Sequence, residues 1–140
     1  MKKLVFLVLA TAFISSYSFA GKPPVAVENA FKAKFPSATK VNWEKEGSMK
    51  WEAEFMYEGS KTKVMYHEDG TWLKTKKDIS LSDLPSNVTA AVKAKYPNWI
   101  ITKAEKSESV KHGLLYEVDM KKGMERKDAD FKEDGTVVED

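Results

Sequence analysis

The chain of 140 residues contains no cysteine. This absence excludes thiol nucleophiles, thiolate metal sites, disulfides and the lipidated cysteine of a lipoprotein. The folded part must therefore be stabilised by packing alone. A domain of this size can manage this, because it buries somewhat under about 70% of the surface that its unfolded chain exposes.

Long apolar runs are also scarce, and the one present lies at the start of the chain. Met-Lys-Lys precedes a mostly apolar run over residues 4–14, which is too short to span a membrane. Ser18 and Ala20 then supply the small side chains that signal peptidase requires before its cleavage point. We expect residues 1–20 to be a secretory signal peptide removed after Ala20. The mature chain is then periplasmic, with secretion as the alternative, and does not insert into the membrane.

A charge excess of one sign is missing as well. The chain has 23 Lys and Arg against 21 Asp and Glu, and Lys2 and Lys3 belong to the predicted signal peptide. The remaining basic and acidic residues balance. This balance gives no electrostatic reason to expect nucleic acid or an anionic lipid surface as a partner.

Motifs for catalysis or cofactor binding are absent from the sequence. It has no G-x-S-x-G, P-loop or G-x-G-x-x-G motif. The two histidines, His67 and His112, lack a second ligand at metal-binding spacing, so we interpret both as solvated surface residues. Carboxylates at alternate strand positions, such as Glu52 and Glu54, are better explained by cross-strand ion pairs with lysines. We predict no catalytic residues, no metal site and no cofactor, and hence no enzyme.

What the sequence does contain is a pattern that occurs twice. Residues 24–36 (PVAVENAFKAKFP) align with residues 85–97 (PSNVTAAVKAKYP), and both carry an apolar stripe at i, i+3 and i+4 between two prolines. This stripe is typical of a short amphipathic helix that ends at the second proline. The intervening segments alternate apolar and polar residues, as half-buried antiparallel strands do. Both end in Glu-Asp-Gly-Thr, at residues 68–71 and 133–136, which is a hairpin signal.

These patterns predict an α+β fold of two tandem repeats. Each repeat has one helix followed by a four-stranded antiparallel sheet, and both helices pack on one sheet face. The predicted boundaries are, in chain order, the signal peptide at 1–20, the first repeat at 21–76, a linker at 77–84 and the second repeat at 85–140.

The helix that ends in K-[FY]-P, the strand [WY]-E-[AV]-[DE]-[FM] and the closing D-G-T turn resemble PepSY-like domains. This family is also described as beta-lactamase-inhibitor-like, and its members are exported proteins of Bacteroidetes-type bacteria. The resemblance covers residues 24–76 and 85–140. It implies a fold like that of the beta-lactamase inhibitor protein, which clamps an enzyme with its concave sheet face. This chain lacks the disulfides of that inhibitor, so lactamase inhibition does not follow from the resemblance.

The helix-free face of the predicted sheet is the candidate binding surface. Strand alternation places two methionines and a histidine there, and exposed tryptophan is a common anchor of protein interfaces. The facing of the two candidate tryptophans is open, because the neighbours Leu73 and Ile100 could take the inward position instead. The candidate binding residues are Met56, Met65, His67, Trp72 and Trp99.

The resulting functional hypothesis is an exported, non-catalytic module that binds or inhibits a protein or peptide through this face. The alternatives are an envelope accessory protein, or a metal-binding protein that uses the acidic and histidine surface around His67. No closely spaced ligand pair such as H-x-x-x-H supports the metal alternative.

Overall fold

The computed structural model describes residues 19–139. The predicted signal peptide lies, apart from its last two residues, outside the described residues. Within the described range the chain forms nine strands, two α-helices and one short 3-10 helix at Leu81–Asp83. In chain order the strands and α-helices are β1 (Phe19–Ala20), α1 (Val25–Lys34), β2 (Thr39–Glu46), β3 (Lys50–Tyr57), β4 (Ser60–His67), β5 (Trp72–Ile79), α2 (Ser86–Lys95), β6 (Ile100–Ser109), β7 (Gly113–Lys122), β8 (Glu125–Phe131) and β9 (Val137–Val138).

Prolines fix where both helices begin and end. Pro24 and Pro85 are the N-cap residues, where the missing N–H costs no helical hydrogen bond. At the other end, the backbone N–H groups of Phe35 and Tyr96 still donate to the carbonyls four residues earlier. A second proline follows each of them and cannot continue the helix. The proline-bounded helices expected from the sequence are thus confirmed.

The predicted fold of two tandem repeats, each of one helix followed by a four-stranded antiparallel sheet, is wrong. Within residues 19–139 all nine strands belong to a single antiparallel sheet in the order β1 to β9. Phe19 and Ala20, which form β1, fall in the predicted signal peptide, and β2 to β9 form one continuous series of paired strands with no break between β5 and β6. The observed architecture is one long, continuous sheet with two short helices.

The pairing of β5 with β6 joins the strands of the two predicted repeats into one sheet. Their register runs from Lys74 opposite Ser109 to Ile79 opposite Ala104. Residues 77–79, which fall in the predicted linker, are therefore part of β5. Two separate sheets would each leave one of these strands as an open edge with unpaired backbone groups, and their pairing removes both edges.

Two clusters of buried side chains cover one side of this sheet. In the first, Val27 and Phe31 of α1 pack on β3 and β4; in the second, Val88 and Val92 of α2 pack on β6 and β7. Strand register shows that both clusters lie on the same side of the sheet. Val64 of the first cluster is directly opposite Thr75 of β5, so both side chains point to the same side. Ile79 lies four residues further along β5, hence on that side too, and it packs against the second cluster. The other side carries no helix and is called the helix-free face below.

The hydroxyl of Tyr66 is an unusual feature of the first cluster. Tyr66 is 1% exposed, and no described residue forms a hydrogen bond with its Oη. Burial raises the pKa of this phenol from 10.0 to about 12. A buried polar group without a partner costs about 1–3 kcal/mol, so this hydroxyl opposes folding.

Replacing Tyr66 by phenylalanine is therefore expected to raise the free energy of unfolding by about 1 kcal/mol at pH 7. In the wild type, stability should fall as the pH rises from 10 towards 12, because the unfolded chain releases the phenolic proton before the folded chain does. Urea unfolding across this pH range measures both effects. A Tyr66→Phe variant that is less stable than the wild type, or that keeps the full alkaline loss, would contradict the assignment.

Candidate functional site

A groove opens on the helix-free face, at the end of the sheet that carries the β4–β5 and β6–β7 turns. Its volume is about 340 Å³. Side chains from β3 to β9 and from the β6–β7 turn form it. The groove is lined by Lys50, Met65, His67, Leu73, Lys74, Ser107, Ser109, Val110, Lys111, His112, Leu115, Asp130 and Val138.

Two groove residues are buried although no helix within residues 19–139 covers the helix-free face. Leu115 is 5% exposed and Ser107, its partner on β6, is 4% exposed. Leu115 belongs to neither of the helix-covered clusters, since its neighbour Tyr116 is the residue that enters the second one. Side chains of neighbouring strands and of the β6–β7 turn, which line the groove together with Leu115, account for this burial.

Two of the five candidate binding residues line the groove. Met65 and His67 lie on β4 with their side chains towards the helix-free face, as strand alternation predicts. Met56 lies on the same face, opposite Lys61, but outside the groove. It is half-buried at the other end of β3.

The two tryptophans are on the opposite side of the sheet. Trp72 packs against the first cluster and donates its indole N–H to Thr75 Oγ1 at 2.9 Å. The Lys34 Nζ lies over the ring, 4.1 Å from its centroid. Trp99 packs against the second cluster, while its neighbour Ile100 is 63% exposed. The facing that the sequence left open is thus inward for both tryptophans.

A bulge in β5 explains why Trp72 points inward. Met65 is opposite Lys74, but the next residue, Tyr66, is opposite Trp72, so Leu73 is an extra residue in β5. An extra residue reverses the alternation for the residues before it. The bulge therefore turns Trp72 to the helices and leaves Leu73 in the groove.

Sequence reasoning missed several groove residues, notably Leu115 and His112. His112, interpreted from the sequence as a solvated surface residue, lines the groove from the β6–β7 turn. A signal for Leu115 was present: Leu114, Leu115 and Tyr116 are three consecutive apolar residues in a strand, which breaks the alternation. Such a run indicates that both faces of the strand are at least partly buried.

Ion pairs fill the centre of the helix-free face beside the groove. Lys76 of β5 lies 2.6 Å from Glu117 and 3.5 Å from Glu105, and Lys103 of β6 lies 2.9 Å from Glu105 and 3.2 Å from Asp78. Burial acts to raise the pKa of Glu105, but Lys103 and Lys76 outweigh it and lower this pKa below its ordinary value. The network joins β5, β6 and β7 and favours the ionised form of Glu105.

The alternate carboxylates Glu52 and Glu54, the sequence candidates for acid–base chemistry, also form ion pairs with lysines. Lys61 Nζ lies 2.9 Å from Glu54, and Lys63 Nζ lies 3.3 Å from Glu52 and 3.4 Å from Glu54. The hydrogen bond from Lys61 is the main reason that the pKa of Glu54 is lowered. A general acid needs the opposite shift, so the environment of Glu54 suits an ion pair and not proton donation.

The described residues form neither a metal-ligand cluster nor a membrane-spanning helix. Among residues 19–139, no three His, Asp or Glu side chains come together in a way that could hold a metal ion. The helices in that part of the chain are too short and too polar to cross a bilayer.

Comparison with protein families gives one clear match. The family model described as "Putative beta-lactamase-inhibitor-like, PepSY-like" matches residues 49–139, which is more than half of the chain. None of the curated proteins compared with the chain matches it.

Solved structures with the same fold come from the genus Bacteroides. A BLIP-like protein from Bacteroides fragilis is 25% identical, with 85% of either chain covered and a TM-score of 0.75. A DUF2874 family protein from Bacteroides ovatus is 23% identical, with coverage of 85% of this chain and 86% of that one, and a TM-score of 0.77. A Bacteroides eggerthii structure described under "putative periplasmic proteins" is 20% identical, with coverage of 85% and 88% and a TM-score of 0.77. The last two show the shared fold alone.

Proposed function

Because the chain belongs to the beta-lactamase-inhibitor-like, PepSY-like family, we propose that it is an exported, non-catalytic module that binds a protein or peptide partner. The groove on the helix-free face is the proposed binding site. Binding there acts in the manner of an inhibitor, by occupying a surface of the partner and not by chemical change. The periplasm is the proposed location, in keeping with the description of the Bacteroides eggerthii relative.

The observation that carries this proposal is the mixed lining of the groove. Apolar side chains of Met65, Leu73 and Leu115 share it with lysine, histidine and serine side chains. Binding sites combine apolar contact area with a few polar groups that fix orientation, and their volumes start at about 300 Å³. The groove is near this lower limit, so it suits a few side chains of a larger partner.

Leu73 is the residue best placed to test the groove. It is half-buried at the bulge of β5, so a polar replacement there disturbs the groove more than the clusters under the helices. Leu81, which is 46% exposed and lies outside the groove, offers a control with the same chemical change.

We expect the Leu73→Asp variant to lose its partner while it keeps its fold. The immobilised mature chain would be used to capture proteins from a cell-envelope extract of a Bacteroides species, followed by mass spectrometry. Proteins retained by the wild type and by Leu81→Asp should decrease by about tenfold or more with Leu73→Asp, because a charge would then replace an apolar contact. Thermal melting confirms that the variants are folded. Equal recovery by all three proteins would refute the groove as the binding site.

A further inference from the structure

The lysines of the helix-free face fall into two groups. Lys61, Lys63, Lys76 and Lys103 each form a salt bridge with a carboxylate. Lys50 and Lys74, which line the groove, form none with any residue in the 19–139 range. The nearest carboxylate to Lys50 by register is Glu46, opposite it on β2, and no salt bridge joins the two.

Strand register places Lys50 and Lys74 on the two strands that flank β4, on either side of Met65 and His67. Lys50 on β3 is directly opposite His67, and Lys74 on β5 is directly opposite Met65. Neighbouring strands lie about 4.8 Å apart, so the two lysine-bearing strands are about 10 Å apart across β4. Their head groups can reach a carboxylate placed over β4 from both sides.

The groove lining carries an excess of positive charge. Three lysines line it, and Asp130 is the one carboxylate among the lining residues. Apolar side chains, including Leu73 and Leu115, form much of the remaining wall together with two serines. A complementary partner therefore presents negative charge together with an apolar side chain.

We infer that the groove binds an acidic segment of a partner protein, in which an Asp or Glu lies beside an apolar residue. The carboxylate takes its place between Lys50 and Lys74, and the apolar side chain contacts Leu73 and Met65. This inference rests on the proposed function and specifies the partner for that site. Charge-assisted hydrogen bonds from lysine supply the selectivity for acidic over neutral segments.

A phage-displayed library of random peptides tests this inference without a known partner. Peptides are selected on the wild type and then measured individually against three variants. Lys50→Gln/Lys74→Gln removes the unpaired charges, Lys61→Gln/Lys63→Gln removes two paired lysines on the same face, and Leu73→Asp blocks the groove.

The expected peptides contain Asp or Glu beside an apolar residue. Their affinity should fall by about tenfold or more in Lys50→Gln/Lys74→Gln, since two charge-assisted contacts are lost. It should change by less than about twofold in Lys61→Gln/Lys63→Gln, where the lysines already have partners. If the selected peptides lack acidic residues but lose their binding in Leu73→Asp, the inference of an acidic partner is refuted and the proposed function stands. Selected peptides that bind Leu73→Asp normally, or no selected peptides at all, would overturn both.

Discussion

Replacing Phe31 by alanine is expected to lower the free energy of unfolding by about 3–5 kcal/mol. Phe31 is 6% exposed and joins α1 to the sheet. Its ring centroid lies 4.9 Å from that of Phe55, 5.2 Å from that of Trp43 and 5.6 Å from that of Phe35. The substitution removes all three ring contacts and leaves a cavity that the surrounding aromatic rings can only partly refill.

Denaturant unfolding measures this loss, and Met124→Ala is a suitable control. Met124 is 99% exposed, so its replacement should change stability by less than about 0.5 kcal/mol. A loss below about 1 kcal/mol in Phe31→Ala would mean that the aromatic contacts contribute little and that the first cluster does not depend on α1.

Replacing Gly135 by alanine is expected to lower stability by about 2–5 kcal/mol, from two causes that add. The φ angle of Gly135 is +88°, a conformation that costs about 1–2 kcal/mol with any side chain. A Cβ at this position would also lie 2.6 Å from the carbonyl oxygen of Asn87 in α2. The turn between β8 and β9 would have to move away from the helix, or the helix from the sheet.

Gly59 separates these two causes. Its φ is +76°, but a Cβ there would have no neighbour within 4 Å. Gly59→Ala should therefore show only the conformational cost of about 1–2 kcal/mol. Calorimetric or denaturant unfolding of both variants gives the difference directly. Equal losses would show that the turn does not rest closely on α2. Gly70 has the same two features as Gly135, with a Cβ 2.8 Å from the Ala26 carbonyl oxygen.

Local structure was predictable from the sequence where local physics decides it. Proline fixes helix ends at Pro24 and Pro85, and the glycine of a D-G turn provides the positive φ that Gly70 and Gly135 adopt. The division into two helix-plus-four-strand repeats was predicted wrongly because the pairing of β5 with β6 is nonlocal. In the sequence, Lys76 and Asp78 of β5 look like solvated residues at the boundary of a linker, and their partners Glu105, Glu117 and Lys103 lie more than twenty residues further along the chain.

The proposed binding surface was predictable only in part, for a similar reason. Alternation correctly placed Met65 and His67 on the helix-free face, because β4 is regular up to its end. It could not show that Leu73 replaces Trp72 on that face, since a bulge has no sequence signature in this strand. The burial of Leu115 comes from side chains of other strands and of the β6–β7 turn, and its one local signal was the apolar run from Leu114 to Tyr116.

The continuity of the sheet across β5 and β6 also governs how the chain can be divided. A fragment that ends near residue 84 would present the whole of β5, from Trp72 to Ile79, as a bare edge. The complementary fragment would present β6 in the same way, with Glu105 separated from the Lys76 that neutralises it. Either half on its own would be a template for recruiting a second chain, so evolution can shorten this protein at its outer strands far more easily than cut it in the middle.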